Sequence, residues 1–103
     1  MSGESVAAGR PVIAVLGLGE AGSAISADLA AAGALVRGFD PVIPAGPGIT
    51  QCDGDADACR GASVVLSLTC AHDAEAALTA ALAGVGPGAI YADLNTASAG
   101  FKA

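Results

Sequence analysis

The chain has 103 residues, room for one small domain, and its 53% hydrophobic content with mean hydropathy +0.64 excludes a disordered segment and supports a packed core. Ten acidic against four basic residues give a net charge of −6 and a pI near 4.2, which argues against nucleic acid and anionic membrane surfaces as partners. Aromatic residues are only 3% of the chain, so the core must be built from small side chains, and any phosphate ligand must be held by backbone.

Residues 1–10 read as a polar, Gly-containing disordered tail, leaving 11–103 as the domain. Met1 to Gly9 contains neither a basic leader nor an apolar segment, and no apolar run reaches membrane-spanning length, so a cytoplasmic protein is expected. Cys52, Cys59 and Cys70 are an odd number without C-x-x-C spacing, which fits reduced thiols rather than a disulfide framework or a zinc site.

From Val12 to Asp40 the chain reads as a nucleotide-binding β-turn-α-β unit. Val12 to Leu16 is a short apolar run with β-branched residues, bounded by Pro11 and Gly17, and predicts a strand buried on both faces of a parallel sheet. Gly17-Leu18-Gly19-Glu20-Ala21-Gly22 follows directly and opens a helical pattern with Ala21, Ile25, Leu29 and Ala32 on one face. In such a turn the first glycine permits the sharp bend, the second admits backbone to a pyrophosphate, and the third lets helix pack on strand. The helix N-terminus then offers unpaired N–H groups and partial positive charge, so a diphosphate is stabilised without a lysine.

Gly33 ends the helix, Ala34 to Phe39 reads as a second strand, and Asp40 stands at its tip, roughly 20 residues after the glycines. A carboxylate there accepts hydrogen bonds from the adenosine ribose hydroxyls and repels the extra phosphate of NADP, which favours NAD. Arg37 keeps NADP open, although strand alternation places it on the face opposite Asp40. Asp40 to Gly48 is dense in Pro and Gly and predicts a loop, either over an adenine or as a plain connector.

Asp53, Asp55 and Asp57 alternate but lack the glycine and terminal glutamate of a calcium loop, so they are read as acids opening a short helix, Ala56 to Arg60, and no metal site is expected. Ala62 to Thr69 predicts the next strand, and Ala74 to Ala83 a helix with Ala77, Leu78 and Leu82 on its apolar face. Thr69 and Cys70 fall in the turn between them, on the carboxyl side of the sheet where ligands bind. His72 beside Asp73 reads as a helix-start residue rather than a catalyst. Gly84 to Gly88 stops that helix, and Ala89 to Leu94 predicts a further strand that ends in Asn95-Thr96-Ala97-Ser98. Those polar side chains suit either a nicotinamide ribose or substrate carboxylate, or the capping of a following helix. The whole is an open, doubly wound parallel α/β sheet of the Rossmann type, truncated after about five strands, in order 3-2-1-4-5.

GLGEAG at Gly17 to Gly22, FDP at Phe39 to Pro41, SLTC at Ser67 to Cys70 and DLNTAS at Asp93 to Ser98 together resemble the β-hydroxyacid dehydrogenase superfamily, which includes 6-phosphogluconate and 3-hydroxyisobutyrate dehydrogenases. The resemblance implies an amino-terminal NAD(P)-binding domain of an oxidoreductase that passes hydride between nicotinamide and a small hydroxy acid. It implies that Gly17, Leu18, Gly19, Glu20, Ala21 and Gly22 form the pyrophosphate turn, that Asp40 selects the ribose, and that Thr69, Cys70 and Asn95 flank the cofactor. Asn95, Thr96 and Ser98 would then face the substrate. It further implies a homodimeric parent whose helical second domain carries the catalytic lysine, so that this chain alone is inactive and Lys102 takes no catalytic role. Two other readings stay open: a stand-alone module that senses dinucleotide, and a related reductase of imines or prephenate-like acids.

Overall fold

Val12–Leu16 forms the central strand, β1, and the computed structural model builds the remaining elements around it, describing residues 10–69 and 71–94. In chain order there follow α1 (Glu20–Ala31), β2 (Leu35–Phe39), β3 (Thr50–Gln51), α2 (Asp55–Cys59), β4 (Val64–Ser67), α3 (Ala71–Ala81) and β5 (Ile90–Asp93). The strands make one sheet in the order β3-β2-β1-β4-β5, with every neighbouring pair parallel. This is the expected doubly wound order. The third strand, however, lies at Thr50–Gln51, between the expected loop and the expected short helix where no strand was assigned, because two residues are too short to show alternation.

Alternation along β1 divides the core between the two faces of the sheet. Val15, with Leu18, Ala34 and Val36, packs on the face that carries α1, where Leu29, Ile49 and Leu68 complete the cluster. Ala14 and Leu16 point the other way and meet Cys52, Ala58, Cys59, Ala62, Val65 and Ala81. Cys52 and Cys59 are therefore buried free thiols, and burial first, then the Asp55 and Cys52 charges, pushes Cys59 up to about 11.

Two helical faces differ from the periodic reading. On α1 the buried positions are Gly22 and Ser26, with Leu29 and Ala30 beside them, while Ala21 and Ala32 are exposed. A Cβ on Gly22 would run into the Gly17 carbonyl, so close approach selects the smallest residues, whereas an exposed alanine costs little. On α3 the buried pair is Ala77 and Ala81, while Leu78 and Leu82 are 39% and 62% exposed. Here Gly84 stands directly against the Ala56 carbonyl, and α3 meets α2 through small residues for the same reason. The helix also starts at Ala71 rather than Ala74, and β4 and β5 are shorter at both ends than their apolar runs.

Register is what prepares the site. Leu16 pairs with Phe39 on one side and with Ser67 on the other, so β1, β2 and β4 end level. Gly17, Asp40 and Leu68 consequently leave the sheet side by side at its carboxyl edge. The β2–β3 connection carries no helix and remains the Pro- and Gly-rich loop, tied by the Ala45 N–H donating to the Gln51 side-chain carbonyl at 2.6 Å.

Candidate functional site

Gly17 leaves β1 with φ +95°, a backbone conformation that side chains disfavour, and its N–H donates to the Phe39 carbonyl at 2.8 Å. A Cβ here would also stand 2.8 Å from the carbonyl carbon of Leu68. Leu18 turns its side chain into the core, 2% exposed, and donates its N–H to Asp40 Oδ2 at 2.8 Å. The Ser23 hydroxyl then closes the turn by donating to the Leu18 carbonyl at 2.6 Å. Ser23 carried no signal in the sequence beyond its place in the helix's first turn.

Gly19 differs from its two neighbours in the motif. Its φ is −67°, which any residue adopts, and none of the described residues lies within 4 Å of where its Cβ would stand. It is the N-cap of α1 and makes no side-chain cap, so the first-turn N–H groups of the helix point outward toward any incoming acceptor. Glu20 is exposed at the first helical position, and Gly22 is sealed beneath the turn.

Asp40 is bound on both oxygens. Besides Leu18, its Oδ1 accepts the Val42 and Ile43 N–H groups at 2.8 and 3.0 Å, so the carboxylate links the glycine turn to the loop beyond β2. Burial acts to raise its pKa, but the three N–H donors outweigh it and hold the group below its ordinary 3.8.

These parts border a cleft of about 720 Å³ at the carboxyl edge of the sheet. Gly17, Gly19, Ala21, Asp40 and Thr69 of the expected residues line it. Leu18, Glu20 and Gly22 build the turn without lining the cleft, and Cys70, Asn95, Thr96 and Ser98 lie outside the described residues. Val42 and Ile43 border the cleft and are 83% and 39% exposed, so the loop after Asp40 flanks the site instead of only passing it.

Asp55 was missed. It reads in sequence as one helix-start acid among three, yet the fold sends them apart. Asp55 lines the cleft; Asp57 pairs with Arg37 and Arg60 and accepts the Asp53 N–H. Burial and then the Asp40 charge push Asp55 above its ordinary pKa. Arg37, the candidate for a 2′-phosphate, donates to the carbonyls of Asp57 and Ala58 at 2.8 and 3.3 Å, beneath α2.

A comparable architecture occurs in a solved structure of Mycobacterium tuberculosis 3-hydroxyisobutyrate dehydrogenase with L-serine, with TM-score 0.77 and 32% identity over 84% of this chain. The chain is a β-hydroxyacid dehydrogenase-like amino-terminal domain. It spans 32% of the length of that dehydrogenase. No family model matches the domain, and no curated protein sequence does. Among the described residues no helix is long and apolar enough to cross a membrane, and no acidic, Cys and His cluster forms a metal site.

Proposed function

We propose that this domain binds NAD along the cleft and serves an oxidoreductase that moves hydride between nicotinamide and a 3-hydroxy acid or a 6-phosphogluconate-like substrate. Gly19 carries the reading. Gly17 and Gly22 are required by the protein's own backbone, whereas no contact among the described residues demands glycine at position 19. An open approach in front of an uncapped helix end is what a pyrophosphate needs.

The other lining residues fit the same ligand. Asp40 uses three of its roughly four acceptor positions on backbone N–H groups, leaving room for a ribose hydroxyl. The cleft volume falls within the roughly 300–1,000 Å³ typical of ligand sites. Pro41, Val42 and Ile43 supply an apolar wall for adenine, and Thr69 lies level with the end of β4, toward the nicotinamide half. When bound, the nicotinamide supplies or accepts the hydride. The described lining contains no lysine or histidine to move the accompanying proton, so turnover is expected only with further protein.

Titration with NADH, followed by nicotinamide fluorescence, tests this against Gly19→Val. The valine side chain enters open space, so the variant should melt near the wild type yet bind NADH at least tenfold more weakly. Unchanged NADH affinity in the folded variant would overturn the proposal.

A further inference from the structure

We propose that Asp55 is a second determinant of cofactor choice, acting with Asp40 to exclude a 2′-phosphate from the adenosine end of the cleft. This rests on the dinucleotide reading above and assigns a role within the same site.

Asp55 and Asp40 line one cavity although they come from different elements, Asp55 from the first turn of α2 and Asp40 from the tip of β2. Asp55 is half-buried, and its carboxylate accepts no hydrogen bond from the described residues, unlike Asp40 and Asp57. Among the described residues, therefore, nothing compensates its negative charge in the cleft. The two carboxylates are close enough for Asp40 to disfavour the ionised form of Asp55, after the larger effect of burial.

The three arginines are placed elsewhere. Arg10 donates to the carbonyls of Gly33 and Ala34, at the opposite end of the sheet from the glycine turn. Arg37 pairs in register with Ala14 and Thr50, on the α2 face, where Asp57 and the Ala58 carbonyl hold it. Arg60 pairs with Asp57 as well. Among the described residues no basic side chain lines the cleft. The short helix thus divides its acids: Asp57 helps hold Arg37 beneath α2, and Asp55 adds a charge that repels the phosphate an arginine would bind. A 2′-phosphate carries nearly two negative charges at neutral pH and would enter a cleft whose described lining holds two carboxylates and no basic side chain.

The test is paired titration of the full chain with NADH and NADPH, for wild type, Asp55→Asn and Asp55→Glu, with circular dichroism to verify folding. The wild type should prefer NADH by about a hundredfold or more, and Asp55→Asn should strengthen NADPH binding about tenfold while leaving NADH within about twofold. Asp55→Glu should restore the preference. In wild type the discrimination should shrink as salt rises from about 0.05 to 0.5 M, since screening weakens the repulsion. Competition by ADP against 2′,5′-ADP isolates the phosphate and should show the same tenfold change. Parallel changes for both dinucleotides, or no change for either, would overturn the role of Asp55 and leave the cofactor reading standing. A wild type that prefers NADPH would overturn both the role of Asp55 and the choice of NAD while leaving dinucleotide binding in the cleft standing, whereas a folded wild type that binds neither dinucleotide would overturn the cleft reading as well.

Discussion

Replacing Gly22 with alanine adds one methyl group where the helix crosses the glycine turn. The added Cβ would overlap the Gly17 carbonyl oxygen, and Gly17 is itself held by its N–H bond to Phe39 and by the Leu68 backbone behind it. Neither side can yield by a rotamer change, since the obstructing atom is backbone. Overpacking in a rigid core costs typically 1–3 kcal/mol, and a backbone clash belongs at about 3. A domain of this size loses about 4–8 °C of midpoint per kcal/mol, so Gly22→Ala should melt about 12–24 °C lower than wild type. Gly19→Ala is the matched control. Its Cβ meets none of the described residues within 4 Å and its φ of −67° is ordinary. The small loss from alanine at an N-cap is offset by the reduced entropy of the unfolded chain, giving a net change within about 1 kcal/mol. Thermal melts followed by circular dichroism decide the matter. Equal destabilisation of the two variants would refute the assignment of Gly22 to packing and Gly19 to the ligand.

Acid should act through Asp40 in one direction. Its native pKa lies below the ordinary 3.8, so the folded chain binds fewer protons than the unfolded one; the stabilisation is complete above the unfolded value and is lost as pH falls through the native one. The midpoints of wild type and Asp40→Asn should therefore converge as pH falls below the ordinary 3.8, and a constant gap would contradict the three N–H bonds. Asp55 has the opposite sign, because a raised native pKa makes its charge destabilising at neutral pH; Asp55→Asn should melt slightly higher there and lose that advantage in acid. Arg37→Ala should lower stability by about 1–2 kcal/mol, because the carbonyls of Asp57 and Ala58 lose their donor, without weakening NADPH further. A loss of NADPH affinity confined to that variant would return Arg37 to the site.

Much of the site could be read locally. A parallel strand followed at once by Gly17-x-Gly19-x-x-Gly22, with an acid at the tip of the next strand, is a pattern set by backbone freedom and by spacing along one β-α-β unit, and the chain folds it where the residues require. The helices were found for the same reason, but not their inner faces: Ala21, Leu78 and Leu82 satisfy a helical period and still face outward, because the contacts at Gly17–Gly22 and Ala56–Gly84 admit only the smallest residues.

The sequence by itself determined the first β-α-β unit, the glycine turn and the place of Asp40, since each follows from preferences within a few residues of chain. Only the tertiary structure decided that Gly19 is free while Gly22 is locked, that Thr50–Gln51 completes the sheet, and that Arg37 is turned beneath α2 while Asp55 enters the cleft. These outcomes depend on which distant residues the sheet register sets side by side, and a carboxylate or a glycine carries no local mark of the neighbour it will meet.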